Sequence, residues 1–186
     1  MNALADNAIM LRVKDGDLDK MGLLFERYHR QLYGFLFHMT YHREGSEDLV
    51  QQVFYKMLKY RHTFTGTGEF IHWMYSIARN TLKDTYKSKK QQVRHENVDD
   101  IAERLSGGLT PDEQLEKKQA KAELYKAMEK LSDDHREILA LSRFQELKYN
   151  EVAQILDISE TAAKTRVHRA VQELKNIYVK NGTLKQ

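Results

Sequence analysis

Apolar residues recur along this chain at intervals of three and four positions, the spacing of an amphipathic helix. The pattern predicts a short helix near residues 6–15 and longer helices at about 18–41, 47–60 and 69–88. The stretch RHTFTGTGEF at residues 61–70 places two glycines among threonines, which indicates a loop before the fourth helix. Ser46 in REGSED is predicted to cap the third helix.

A polar stretch interrupts the helical pattern at residues 91–109. It is rich in charges and amides and contains a Gly-Gly pair, so it predicts an interdomain linker. The pattern resumes with Thr110 as a helix cap, Pro111 in the first turn and Glu113 completing a capping box. Helices follow at about 111–130, 133–145, 148–156 and 160–180. The predicted fold is all-α, with two small helical domains at 1–90 and 110–186.

The last two helices have the spacing of a helix-turn-helix. Asp157, Ile158 and Ser159 form the predicted turn, and Ser159 is placed to cap the second helix. One side of that helix is predicted to be buried: Ala163, Val167, Ala170, Val171 and Leu174. The opposite side and its flanks are polar and mostly basic: Thr161, Lys164, Thr165, Arg166, His168, Arg169 and Gln172.

The chemistry of this basic face suits duplex DNA. A helix fits the major groove, where arginine and lysine can donate to guanine and the methyl group of threonine can contact a thymine methyl. The flanking cations can neutralise phosphates. An ordinary helical hairpin with a basic, solvated face remains the alternative.

A second candidate nucleic-acid surface lies on the helix at 69–88. Its predicted buried stripe is Phe70, Met74, Ile77, Thr81 and Leu82, and its marginal strip is Trp73, Ser76, Asn80, Lys83 and Lys87, with Tyr75, Arg79 and Tyr86 further round. An aromatic ring, an amide and lysines in sequence suit unstacked bases beside a phosphate backbone. Trp73 has two interpretations, as a base-stacking residue or as part of the core.

The third helix, EDLVQQVFYKMLKY, carries a candidate protein-binding face. Leu49, Val50, Val53 and Met57 are predicted to be buried, while Phe54 and Leu58 extend to the margin beside amides and a carboxylate. An apolar margin next to polar groups is typical of an interface. Alternatively, Phe54 packs under the neighbouring helix.

Composition and charge narrow the class of protein. The chain of 186 residues has no cysteine, which excludes disulfides, thiolate zinc sites and thiol catalysis. We expect a cytoplasmic protein without direct membrane contact, because neither a signal peptide nor a long apolar run is evident. The net charge is +3, but residues 61–95 carry +5 and residues 159–186 carry +4. A protein that contacts a polyanion at two places would show two such blocks, and two solvated faces with chance clustering are the alternative.

Six motifs together resemble the extracytoplasmic-function (ECF) sigma factors of the sigma-70 family. They are LRVKDGD, LFERYHRQLYGF, SEDLVQQVF, FIHWMYSIARN, LSDDHREIL and YNEVAQILDISETAAKTRVHRA. They occur in that family's order and spacing over nearly the whole chain. The resemblance implies a promoter-specificity subunit of bacterial RNA polymerase, with sigma region 2 at 1–90 and sigma region 4 at 110–186.

The resemblance also implies a role for each candidate surface. The residues implied to recognise the −35 element are Lys164, Thr165, Arg166, His168 and Arg169. Those implied to recognise and melt the −10 element are Phe64, Trp73, Asn80 and Lys83. Those implied to dock on core polymerase are Asp48, Gln51, Gln52, Phe54 and Tyr55. The implied partners are the β′ clamp coiled coil for region 2, the β flap for region 4, promoter DNA and an anti-sigma factor. No cofactor or metal is implied.

Three of the chain's departures from the family pattern fall on the candidate surfaces or on the turn between the last two helices. Gln51-Gln52 stands where the family usually has Gln-Glu, so one carboxylate toward the polymerase is missing. Asp157 replaces the usual turn glycine, so a positive φ at this place is less favourable than it is for glycine. Residues 161–163, Thr-Ala-Ala, replace a common Gly-Thr-Val and alter the first turn of the recognition helix.

Three other classes of function are alternatives to this interpretation of the sequence. His38 and His42 stand four residues apart and could bridge a metal in an enzyme, but no acidic ligand accompanies them, and we predict no catalytic activity. A helix-turn-helix regulator that binds an operator without polymerase is the main alternative. A purely protein-binding adaptor would leave both positive blocks without a role.

Overall fold

The computed structural model of the chain describes residues 3–89 and 111–180. The predicted linker at 91–109 and the predicted cap Thr110 lie outside the described residues. The helices are α1 Ala3–Lys14, α2 Met21–Thr40, α3 Arg43–Lys59, α4 Phe70–Lys89, α5 Pro111–Glu129, α6 Asp133–Leu139, α7 Tyr149–Leu156 and α8 Glu160–Lys180. Short 3₁₀ turns occupy Leu18–Lys20 and Arg61–Thr63, and a π-helical turn occupies Ala140–Phe144. The all-α prediction is confirmed.

The start of α3 corrects the prediction for Ser46. The helix begins at Arg43, because the ring Nδ1 of His42 accepts a hydrogen bond from the backbone N–H of Gly45 at 2.7 Å. A β-carbon at Gly45 would lie 2.8 Å from that nitrogen, so glycine permits the contact. Ser46 is instead buried, and its hydroxyl donates to the His42 carbonyl at 2.6 Å. An imidazole thus supplies the cap that a hydroxyl was expected to supply.

The N-terminal half, residues 3–89, packs α2, α3 and α4 around an apolar core, and α1 covers one end of it. α1 is held there by Asp6, whose buried carboxylate pairs with Arg27 and accepts the hydroxyl hydrogen of Tyr28. A buried carboxylate that lost both partners would be costly, so this contact specifies where α1 lies. No helix in the described parts of the chain is long and apolar enough to cross a membrane.

The C-terminal half, residues 111–180, packs α5, α6 and α7 against α8. Ser132 caps α6 through its hydroxyl, which accepts the N–H of His135. The sequence pattern predicts one helix at 133–145, whereas α6 ends at Leu139 and continues as the π-helical turn. The π-helical turn directs the ring of Phe144 toward α2.

The two halves share one continuous apolar core. The ring of His38 in α2 stacks on Phe144 with 3.7 Å between ring centroids, and Tyr125 of α5 lies edge-on to Phe37. The amide end of Gln145 approaches α2 so closely that a β-carbon at Gly34 would lie 2.9 Å from it. The halves therefore meet through close packing rather than through solvated surfaces.

This junction buries a face of α4 that the periodicity places outside the core. Tyr75 is completely buried, although the predicted stripe omits it: its ring packs edge-on to Phe35 of α2 with 5.1 Å between centroids, and α7 packs against α4. Arg79, one turn further along, is also mostly covered. Its guanidinium donates to both carboxylate oxygens of Glu137, at 2.8 and 3.3 Å, and to the carbonyl of Ile155 at 2.8 Å.

The two histidines considered as metal ligands have other roles. His38 lies in the junction and His42 caps α3, and the described residues contain no cluster of three or more metal-ligating side chains. Burial lowers the pKa of His38 from 6.5 to about 4, and the positive charge of Lys121 adds to this effect.

We predict that His38 makes stability depend on pH. The unfolded chain takes up the proton near pH 6.5 and the folded chain only near pH 4, so stability is lost as the pH falls through this window. The shift corresponds to about 3 kcal/mol. His38→Phe keeps a ring against Phe144 and should reduce the fall in the free energy of unfolding between pH 7 and pH 4.5, measured by denaturant titration. The same change at exposed His62 is the control, and equal pH dependence in both variants would contradict the assignment.

Candidate nucleic-acid interface

The turn between α7 and α8 is fixed by backbone and side-chain hydrogen bonds. Asp157 adopts the left-handed conformation with φ 55° and ψ 51°, which is less favourable for aspartate than for glycine. The next N–H, from Ile158, then closes back on the carbonyl of Ala153 at 3.0 Å. Ser159 caps α8 by accepting the N–H of Ala162 at 3.1 Å. The predicted helix-turn-helix is therefore present and locally rigid.

The buried stripe of α8 is narrower than predicted. Ala163, Val167 and Ala170 are buried and Leu174 is partly buried, but Val171 is 38% exposed. Val171 lies roughly 70° around the helix from the centre of this stripe, at 100° per residue, so it falls at the edge of the buried side.

The predicted −35 face lies on the solvent side of α8. Lys164, Thr165, His168 and Arg169 are exposed, and Arg166 is half-buried. Two of these side chains are engaged locally: the Lys164 ammonium is 2.7 Å from a carboxylate oxygen of Glu160, and the Thr165 hydroxyl donates to the carbonyl of Thr161. His168 and Arg169 extend the exposed face along the helix.

The predicted −10 strip divides into an exposed part and a packed part. Asn80 and Lys83 are exposed on α4. Trp73 is half-buried: its indole N–H donates to the Thr63 hydroxyl at 3.3 Å, and its ring lies edge-on to Phe64 with 5.3 Å between centroids. The packed portion of the ring agrees with the core interpretation, and the base-stacking interpretation stays a prediction.

Phe64 lies in the core of the N-terminal half. It is 3% exposed and packs against Phe70 and Trp73. In this conformation the ring supports the loop from below, and a base would reach it only after the loop rearranged. Its predicted contact with the −10 element stays a prediction.

The loop before α4 is held by α1, a contact that the local pattern does not predict. Asn7 donates to the carbonyl of Gly68 at 2.9 Å and accepts the first N–H of α4, from Phe70, at 2.7 Å. Lys14 donates to the carbonyl of Phe64 at 2.7 Å. A side chain more than sixty residues away in sequence therefore caps α4 and fixes how the strip begins.

The predicted polymerase-docking face lies along α3. Asp48, Gln51, Gln52 and Tyr55 are exposed, and Tyr55 retains 65% of its surface. Phe54 is 6% exposed and packs edge-to-face on Phe25 of α2 at 4.9 Å, which is the packing alternative. The exposed face is accordingly polar with one large ring, and Phe54 supports it from beneath.

Sequence reasoning did not assign Arg79 to the candidate sites. It stands next to Asn80 on α4, yet its guanidinium bonds to α6 and α7. It therefore joins the strip on α4 to the helix-turn-helix. The sequence feature that could have indicated a role for Arg79 is its position in the positive block at residues 61–95.

Comparisons with known proteins agree with this arrangement. Residues 24–92 match the profile of the family described as Sigma-70 region 2, and residues 121–174 match that of Sigma-70, region 4. The chain is 32% identical over 157 residues to the ECF RNA polymerase sigma factor SigX of Bacillus subtilis strain 168, covering 82% of this chain and 80% of that protein. It is also 32% identical over 169 residues to the RNA polymerase sigma factor YlaC of the same organism, covering 88% and 94%.

The fold of this chain resembles that of a solved structure. It is the sigma factor RpoE in complex with the anti-sigma factor NepR from Bartonella quintana, with a TM-score of 0.67, 22% sequence identity, and coverage of 84% of this chain and 94% of that one.

We predict that Asp157→Gly stabilises the turn that presents α8. The left-handed backbone costs a non-glycine residue about 1–2 kcal/mol, and aspartate less than that. Glycine avoids this cost, but its more flexible unfolded chain lowers the stability by about 0.4–1 kcal/mol. The expected net gain is about 0.5 kcal/mol in the free energy of unfolding. Asp157→Ala is the control and should be less stable than either. A loss of stability in Asp157→Gly would show that the aspartate side chain, rather than its backbone, determines the turn.

Proposed function

The chain belongs to the extracytoplasmic-function sigma factors of the sigma-70 family, and we propose that its two halves divide the recognition of a promoter between them. Its function is that of a promoter-specificity subunit of bacterial RNA polymerase. The finer proposal concerns which side chains perform each step.

The C-terminal half is proposed to bind the −35 element as duplex DNA. α8 would enter the major groove with His168 and Arg169 toward base edges and with Lys164 and Arg166 toward the flanking phosphates. The turn at Asp157 and the Ser159 cap support this role, since they fix where α8 begins. Lys164 would exchange its contact with Glu160 for a phosphate.

The N-terminal half is proposed to bind the −10 element as separated strands. Asn80 can hydrogen-bond an unpaired base edge, Lys83 can neutralise a phosphate, and the exposed part of the Trp73 ring can stack on a base. Such binding opens the duplex because it compensates for the lost base pairing.

Core polymerase is proposed to dock on α3 through Asp48, Gln51, Gln52 and Tyr55, with Phe54 as the packed support. By the family resemblance, this face meets the β′ clamp coiled coil and the C-terminal half meets the β flap. An anti-sigma factor is a further proposed partner, supported by the complex with NepR in which the structural neighbour was solved. We infer a cytoplasmic location, because the polymerase works there.

One observation carries the division of labour. A single chain presents both a helix-turn-helix with a basic face and a separate exposed strip of amide and lysine on α4. A regulator that binds an operator by itself needs only the first. Neither surface holds a nucleophile beside a base, so we propose no catalysis by the chain itself.

The decisive measurement is run-off transcription with purified core polymerase. Adding the chain should produce promoter-dependent transcripts from some fragments of the source genome, because it supplies the two recognition surfaces that core enzyme lacks. Core enzyme alone is the control. Operator binding by the isolated chain, with no transcript from any fragment, would favour the helix-turn-helix regulator instead.

We predict different defects for Arg169→Ala and Asn80→Ala. Arg169→Ala should weaken binding of duplex −35 DNA by about 1–3 kcal/mol, because it removes a contact to a base edge or phosphate. Asn80→Ala should leave that binding intact and impair promoter opening. Lys175→Ala removes an exposed cation elsewhere on α8 and is the matched control for Arg169→Ala. The same defect in both variants on a pre-melted template would contradict the division of labour.

A further inference from the structure

The contact of Arg79 between the two halves is chemically specific. Its planar guanidinium meets the carboxylate of Glu137 through two parallel N–H groups and uses a third on the carbonyl of Ile155. The side chains of Arg79 and Glu137 are 21% and 14% exposed, so water screens the pair little. Carboxylate and phosphate oxygens present the same two-point geometry to a guanidinium. Glu137 thus occupies the position that a phosphate would take on Arg79.

This contact limits how far apart the two reading surfaces can be. Arg79 adjoins Asn80, and Ile155 lies five residues before α8 begins. Chain lengths and helix rise then keep Asn80 and Arg169 within about 50 Å of each other. The −10 and −35 elements are named for positions 25 base pairs apart, which is about 85 Å of straight duplex at 3.4 Å per base pair. The packed arrangement cannot engage both elements at once, so the halves must separate.

The junction also contains polar atoms that favour its opening. The ring Nδ1 of His38 and the hydroxyl of Tyr41 are buried without a hydrogen-bond partner, and both residues contact Tyr125 across the junction. Each such group loses its hydrogen bonds to water when the halves close. The junction is therefore less stable than its apolar packing alone would make it, as suits a contact that forms and breaks.

The closed arrangement covers some functional surfaces and leaves others accessible. The polar face of α3 and the basic face of α8 are exposed, so core polymerase and −35 DNA can reach them while the halves are closed. The side of α4 that bears Arg79 is covered. Docking can accordingly precede opening, and opening uncovers a cation beside Asn80.

We propose that Arg79 is a self-inhibitory latch with a second role: Glu137 and the Ile155 carbonyl hold it in the closed chain, and release allows it to bind a DNA phosphate next to the −10 strip. This inference rests on the proposed function for its second role. The same cation thus stabilises the closed state and contributes to the open complex.

The latch is tested by measuring distances in the free protein. The chain has no native cysteine, so spin labels can be attached specifically at Glu44→Cys on α3 and Lys175→Cys on α8, two exposed positions outside the proposed surfaces. The otherwise unchanged chain should give one narrow distance, and Glu137→Gln and Arg79→Gln should each add longer distances. Glu47→Gln is the matched control, because it removes a carboxylate from the exposed pair with Arg43. Unchanged distances in both latch variants would overturn the latch.

The phosphate role is tested in the holoenzyme on a pre-melted −10 template. Log affinity falls with log salt concentration by about 0.7–0.9 per phosphate neutralised. Arg79→Gln should reduce this slope by that amount, whereas Glu137→Gln should keep the slope. Glu137→Gln should also bind core polymerase about fivefold more tightly, because more of the free chain is already open. An unchanged slope in Arg79→Gln would overturn the second role.

The two proposals fail in different ways. If the unchanged chain directed no promoter-dependent transcription, the proposed function would fall, while the distances in the free protein would still decide whether Arg79 holds the halves together. Circular dichroism of each variant shows whether it keeps its helices, and Glu137→Gln, which preserves the shape of the side chain, is the variant least able to disturb them.

Discussion

Burial of α4 on two sides is the constraint on which the rest of the structure depends. One side carries Phe70, Met74 and Ala78 into the core of the N-terminal half, and the adjoining side carries Arg79 against the C-terminal half. Two buried sides leave only a narrow exposed strip, and Asn80 and Lys83 lie on it. The helix that is proposed to read separated DNA strands is thus also the helix that joins the halves, so recognition and domain packing compete for neighbouring residues.

Local patterns predicted much of the fold because they report local physics. The helices, the turn at Asp157 and the Ser159 cap depend on residues within one or two turns of each other. The exposed positions of α8 followed from the same periodicity. Val171 shows the limit of periodicity as a predictor of burial. The angular position of a residue can be calculated from the sequence, but whether another helix covers that residue cannot be calculated from it.

Most of the errors share one cause, which is contact between residues distant in sequence. The His42 cap is the exception, because His42 and Gly45 are only three residues apart. Asn7, by contrast, caps α4 from another helix. Tyr75 and Arg79 look like solvent-facing residues when α4 is considered alone, but Phe35 of α2 packs on Tyr75 and the other half covers Arg79. Periodicity within one helix carries no information about such partners, and this is why the junction was not predicted.

The modest net charge of the chain follows from how its surfaces are used. A protein that binds DNA by itself must gain its affinity from many phosphate contacts made at once. Here the Lys164 ammonium is paired with Glu160 and Arg79 with Glu137, so part of the positive charge is neutralised within the free chain. Under the proposed function the two reading surfaces bind one promoter together, and each raises the effective concentration of the other. Core polymerase would hold them in that arrangement, so DNA recognition by this chain would depend on its partner.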